Sequence, residues 1–284
     1  MKKYYAAELA KVKSMVEADA MNPVLHKDLG NLFYRMDSLS LAEDSYRTAL
    51  RIKPDFFEAQ YNLGNVYFKN KKHWKAIVAW MEALIINPKL ESARFNIGFA
   101  YYNLEEFEDA LMEFIRASEL NPESADTYFY QGMCHYELEQ FVRACDCYSK
   151  AMELGADGDE LHYNYGNALY SSEQYAEALK HYRKALELNP EEAHVARNNM
   201  ADCLLQLGLH KEAMQEASQV VSEKPEYAQA YCTLGEIHVA LGQRQEALNQ
   251  FEAAMRLTKK SSRSKENPLY VYASEVAKSL QKQA

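Results

Sequence analysis

The chain has 284 residues, 48% of them hydrophobic and 26% charged, with a formal net charge of −9. This balance excludes wholesale disorder, and the acidic surplus argues against nucleic acid as the main partner. No stretch reaches the roughly 18–20 uninterrupted apolar residues of a membrane helix, so no membrane insertion is expected.

The N-terminal Met1-Lys2-Lys3-Tyr4-Tyr5 carries the charges of a secretory leader, but Glu8, Lys11 and Lys13 break any apolar segment behind it. A cytoplasmic location is therefore expected. Residues 1–22 read as an N-terminal segment with a lone helix over 5–20. From there a period emerges. Gly30, Gly64, Gly98, Gly132 and Gly166 are spaced 34 residues apart, and Gly235 rejoins the register after one extra residue near 193. Pro54, Pro88, Pro122, Pro190 and Pro225 follow the same spacing, as do Ala42, Ala76, Ala110, Ala144, Ala178, Ala213 and Ala247. A fixed period decides the architecture before any other reading. It divides the chain into seven units: 23–56, 57–90, 91–124, 125–158, 159–193, 194–227 and 228–261. Residues 262–284 complete the chain as a linker, centred on Lys259–Lys265, and a C-terminal capping helix over 269–283, where Lys278, Gln281, Lys282 and Gln283 supply a polar outer face.

Within a unit, small residues at repeat positions 8 and 20 allow two helices to approach. An aromatic at position 24 (Tyr46, Trp80, Phe114, Tyr148, Tyr182, Phe251) fills the space behind them. Proline at position 32 cannot continue a helix and fixes the turn to the next unit. The sixth unit departs most, with Ala201, Leu204, Ala217 and Val220 at the signature places.

The pattern Leu63-Gly64-x-x-Tyr67, Ala76, Trp80, Ala83, Pro88, repeated along 23–261, resembles the tetratricopeptide repeat (TPR) family. The resemblance implies an all-α fold: a right-handed α-solenoid of antiparallel helix pairs with flanking N-terminal and C-terminal helices. It also implies a concave groove lined by the first helix of each unit.

Positions 4, 7, 8 and 11 of the first helix fall on one apolar stripe, which leaves positions 2, 5, 6, 9, 12 and 13 on the opposite face. Position 6 holds Asp28, Asn62, Asn96, Tyr130, Asn164, Asn199 and Thr233; position 9 adds Asn31, Asn65 and Asn167. Mid-helix asparagine costs about 0.5 kcal/mol in propensity. Its amide offers two donors and one acceptor, which match a peptide group. The column resembles the asparagine ladders of peptide-binding TPR proteins; the alternative is bonding to neighbouring helices or water. Tyr130 interrupts it, and a pocket is expected there beside Met133. Aromatics flank the face: Tyr61, Phe95, Phe129 and Tyr163 at position 5, and Tyr34, Phe68, Tyr102, Tyr136 and Tyr170 at position 12. These read as side-chain pockets or as packing against the next unit. Charge is uneven, with Lys27, Arg35, Lys69 and Arg94 in the early units and Asp126, Glu137, Glu160, Asp202 and Glu236, without a base, in the later ones.

Lys27, Asn31 and Asn62 match three of the five positions of the carboxylate clamp of chaperone-binding TPR proteins, while Ser92 and Asn96 stand where that clamp has cations. Cys134-His135 is the one hint of metal, but His135 occupies a core position and reads as packed. Cys145 and Cys147 lie on different helix faces. Cys203 and Cys232 read as small apolar fillers. No phosphate loop or nucleophile motif occurs. The expectation is a non-catalytic scaffold, without metal or cofactor, that binds an extended peptide. Self-assembly into a homo-oligomer through the array ends or convex face is the alternative, and chaperone-tail binding a second one.

Overall fold

The computed structural model describes residues 5–190, 193–259 and 267–282. Among these, sixteen helices occur and no strand. Contacts gather the chain into two bodies, 1–140 and 141–284.

In the first body, α1 (Ala6–Ala18) precedes three helix pairs and a single first helix. The pairs are α2 (Pro23–Arg35) with α3 (Leu39–Ile52), α4 (Phe57–Lys69) with α5 (His73–Ile86), and α6 (Glu91–Asn103) with α7 (Phe107–Leu120). Last comes α8 (Ala125–Glu137). The second body opens with α9 (Phe141–Glu153). It continues with α10 (Asp159–Ser171) and α11 (Tyr175–Leu188), α12 (Ala193–Gln206) and α13 (His210–Glu223), then α14 (Ala228–Ala240) and α15 (Arg244–Thr258). It closes with α16 (Pro268–Lys282). Both flanking helices expected from the sequence are present. The expected linker falls mainly on 260–266, outside the described residues, as does Gln283.

Local chemistry explains the boundaries. Asn22 caps α2, its Oδ1 accepting from Val24 N at 3.1 Å, with Pro23 in the first helical turn where its missing N–H is harmless. The turn between the helices of a pair uses one left-handed residue, always at repeat position 15. It is Asp37, Lys71, Glu105, Glu139 and Glu173 in five repeats, and Gly208 and Gly242 in the last two, with φ between 56° and 74°.

The helix pairs close on the anticipated contact. A Cβ added at Gly30 would stand 2.6 Å from the Tyr46 ring, and one at Gly235 2.8 Å from Phe251. The position-20 alanines, Ala42 to Ala247, are wholly buried beside them. In the sixth repeat both partners change together, to Ala201 and Ala217, and both are still buried. α16 packs Ala273 and Ala277 onto Cys232 and Phe251, while Lys278, Gln281 and Lys282 face outward, as a cap requires. First helices of neighbouring repeats touch, α2 with α4, α6 with α8 and α12 with α14, so that in each body they form the tighter wall.

Candidate functional site

The face opposite the apolar stripe is organised by hydrogen bonds that pass from repeat to repeat. Asn31 Oδ1 accepts from the Tyr46 hydroxyl at 2.7 Å and from Asn62 Nδ2 at 2.9 Å. Asn65 Oδ1 accepts from Trp80 Nε1 at 3.1 Å and from Asn96 Nδ2 at 3.3 Å. Asn167 Oδ1 accepts from the Tyr182 hydroxyl at 2.7 Å and from Asn199 Nδ2 at 3.2 Å. The position-9 asparagine thus ties its own second helix, through the position-24 aromatic, to the position-6 asparagine of the next repeat. Much of the ladder is a stitch between neighbouring helices.

The departures obey the same logic. Phe114 has no polar hydrogen, and position 9 of that repeat is Phe99. Phe99 meets Tyr130 edge-on at 5.2 Å, an aromatic pair where the other repeats have an amide pair. Tyr130 also stacks on Phe114 at 5.5 Å and meets Phe95 at 5.5 Å, so it enters the aromatic core where the sequence suggested the lip of a pocket. Met133 and Asn164 are half-buried, each in its own body.

The aromatic columns serve packing both within and between repeats. Phe68 contacts Phe99 at 5.5 Å, Phe95 contacts Phe114, and Tyr102 and Phe129 both meet Tyr130. Tyr61 accepts from Asn96 Nδ2 at 3.0 Å. Tyr163 lies beside Tyr182 and lines a cavity of about 470 Å³ with Asp159, Glu160 and Asn189. Tyr170 meets Tyr175, and Tyr136 is half-buried. In the first body a cavity of about 320 Å³ opens between Asn31, Tyr34, Arg35, Asn62 and Asn65.

The cations of the early repeats already have partners. Lys27 pairs with Asp28 at 3.0 Å, and Lys69 pairs with Asp37 at 2.8 Å while lying over the Tyr34 ring. Arg94 pairs with Glu113 of the second helix at 3.0 Å, so it is not available to complete a carboxylate clamp.

Two features go beyond the sequence reading, which placed Asp202 and Glu236 on the groove face only as part of its acidic half. Asp202 and Glu236 occupy position 9 of the sixth and seventh repeats. Burial and the Glu236 charge push the Asp202 carboxyl up to about 7, against a hydrogen bond from Thr233 that lowers it. Burial also raises Glu236, which accepts from the Tyr272 hydroxyl at 2.8 Å. The signal was present as two acids replacing asparagine at one repeat position. Elsewhere, buried His162 joins Asp157 through Nε2 at 2.9 Å and His181 through Nδ1 at 2.8 Å; burial and His162 push His181 down to about 4. No group of three or more metal-ligating side chains occurs among the described residues.

The structure resembles solved TPR proteins. The crystal structure of YrrB, described as a TPR protein with an unusual peptide-binding site, is 25% identical, covers 69% of this chain and 98% of its own, and superposes with a TM-score of 0.57. A tetratricopeptide repeat protein from Parabacteroides merdae is 20% identical over 88% of this chain and 98% of its own, at a TM-score of 0.61. MamA is 22% identical over 60% of this chain and 93% of its own, at 0.55. The last two show likeness of fold alone. No curated protein sequence matches. Family models described as tetratricopeptide repeat or TPR repeat match residues 30–71, 57–90, 95–159, 159–192 and 228–261. With helix pairs closing on an aromatic ring at Gly30, Gly64, Gly98, Gly166 and Gly235, and these models matching along the chain, the chain belongs to the tetratricopeptide repeat family.

Proposed function

We propose that the chain is a non-catalytic scaffold that holds an extended segment of a partner protein along the wall of first helices. One observation carries this reading: the orientation of the position-9 amides. The Trp80 indole N–H can only donate, so the Asn65 atom facing it is the oxygen. With Asn96 also donating to that oxygen, the Asn65 amide nitrogen is left with both hydrogens for another acceptor. At Asn31 and Asn167 a tyrosine hydroxyl and the next repeat's asparagine amide likewise both donate to the oxygen, although a hydroxyl, unlike the indole, does not by itself impose that orientation. Donors fixed before a ligand arrives lose little freedom on binding, which favours affinity. Such amides, Asn31 and Asn65 in the first body and Asn167 in the second, each suit a carbonyl of an extended chain and read no side chain.

The likeness to YrrB supports peptide binding at the level of family. None of the five cysteines is in a disulfide, which fits the reducing, cytoplasmic setting proposed for the protein. The experiment is to pan a library of randomised, end-blocked peptides against the chain. Amide chemical-shift changes with the best uncharged peptide are then mapped. Shifts on the first helices support the reading; shifts confined to second helices refute it.

A second reading, self-assembly, is favoured by α5. Trp74, Val78, Met81 and Ile85 form an outward apolar stripe, with Ile85 81% exposed. Sedimentation across concentration decides it: a dimer that disappears in Ile85→Lys supports assembly, and a monomer throughout excludes it.

A further inference from the structure

The groove reading leaves one local charge problem, in the second body. Asp202 and Glu236 stand where three other repeats present a neutral asparagine. The aromatic donor that would satisfy Asp202 from position 24 is absent, since that residue is Ala217. Among the described residues, no lysine, arginine or histidine contributes to the state of either carboxyl. A second observation concerns Asn198, which is wholly buried. Its Nδ2 donates to Asp202 Oδ2 at 3.3 Å, so its amide group lies against that acid, yet its Oδ1 has no hydrogen-bond partner. Asp202 and Glu236 remain partly exposed, so the place is open to an incoming group.

We infer that Asp202 of α12 and Glu236 of α14, with the unpartnered amide oxygen of Asn198 behind them, form a receptor for the ammonium of a lysine side chain in the bound segment. An ammonium carries three N–H donors and no acceptor. Two carboxylates and one amide oxygen supply acceptors for all three. Tyr170, close enough to both acids to feel their charge, offers a ring against which the lysine stem can lie. The inference rests on the groove reading and assigns the chemistry of one subsite within it.

A cation here stabilises ionised Asp202. In the ligand-free protein the carboxyl titrates near 7, so binding lysine at neutral pH should expel a proton. The other titratable groups about Asp202 are Glu236, Tyr170, Tyr227, Tyr272, Cys203 and Cys232, and of these only Glu236 is a carboxylic acid.

The test uses the full chain and end-blocked pentapeptides, Ala-Ala-X-Ala-Ala with X as lysine, arginine, norleucine or glutamate. It follows the Asp202 carboxyl carbon by NMR from pH 4 to 9. The lysine peptide should lower the Asp202 midpoint by at least about one unit and outbind norleucine by about tenfold, the usual range for a charge-assisted hydrogen bond. Asp202→Asn and Glu236→Gln should each abolish that preference, whereas Glu246→Gln, which removes an exposed charge from a second helix, should leave it intact. An unmoved midpoint, equal binding of lysine and norleucine, preference for arginine, or no saturable binding at millimolar peptide overturns the inference. So does calcium chloride moving the Asp202 carbon where the lysine peptide does not. Norleucine binding that shifts the Asn167 and Asn199 side-chain amides without touching Asp202 removes the lysine receptor and keeps the groove. An Asp202 response without those amide shifts keeps the receptor and removes the groove.

Discussion

Asn62 donates from its side-chain amide to Oδ1 of Asn31 at 2.9 Å, across the boundary between two repeats. The bond makes the asparagine column part of the fold as well as a candidate for binding. Sequence reasoning, which saw only a poor helix former recurring on an outward face, expects alanine there to leave stability unchanged or better.

The geometry predicts the opposite sign. Asn65→Ala removes the acceptor shared by Trp80 and Asn96, although Trp80 keeps the Tyr61 carbonyl at 3.1 Å. The loss of about 1–2 kcal/mol of hydrogen bonding exceeds the roughly 0.5 kcal/mol gained in propensity. Thermal unfolding should show a lower midpoint for Asn65→Ala and near wild-type behaviour for Asn65→Asp, which keeps the oxygen. Equal midpoints for wild type and alanine would remove the stitch from the account.

The repeat frame was legible because glycine, alanine, proline and aromatic residues at fixed offsets report steric needs that few other residues meet. The Gly30–Tyr46 contact follows directly from that register. The left-handed turn residue at position 15 was not legible, since Asp37, Lys71 and Glu105 carry no mark of positive φ and only Gly208 and Gly242 hint at it. The candidate site was half legible. Phase placed Asn31, Asn65 and Asn167 on the outward face. Their engagement depends on which atom position 24 donates, a correlation between two helices that periodicity along one helix does not contain. Tyr130 misled for the same reason, because its partner Phe99 lies one repeat back.

The Gly30–Tyr46 fit gives a coupled prediction. Gly30→Ala should cost about 1–3 kcal/mol by overpacking, and almost nothing when Tyr46 is already alanine. The natural pair Ala201–Ala217 is the same double change. A double-mutant cycle by chemical denaturation measures the coupling; additive losses would show that the ring yields to the methyl group.

The sixth repeat should open first. Of the five buried side-chain atoms without partners among the described residues, four belong to it, on His194, Arg197, Asn198 and His210. It also lacks the large position-24 ring. Hydrogen exchange should be faster over 194–227 than over 57–124. Uniform protection would contradict this.

Two half-buried groups shift stability in opposite pH directions. His181 is pushed down from 6.5 to about 4, so the unfolded chain binds more protons between those values. Its contribution to stability is present above about 6.5 and is lost as the pH falls to 4. Asp202 is raised from 3.8 to about 7, so the folded chain binds the extra proton. Its contribution is present below about 4 and is lost as the pH rises through 7. Asp202→Asn should therefore stabilise the protein above pH 7 and hardly change it at pH 4. Stability curves for His181→Gln and Asp202→Asn across pH 4–9 check both signs; parallel curves would show that neither group titrates as described.

The most direct test of peptide binding replaces Asn31, Asn65 and Asn167 together by aspartate. Each aspartate keeps the oxygen that accepts from Tyr46, Trp80 or Tyr182 and replaces the outward N–H donors by a second, negatively charged oxygen that repels a peptide carbonyl. The affinity of the triple variant for the best uncharged peptide from the library should fall by at least about tenfold, at about 0.5–1.5 kcal/mol per lost bond, while its melting temperature stays within a few degrees of wild type. Unchanged affinity in a folded triple variant would contradict the account.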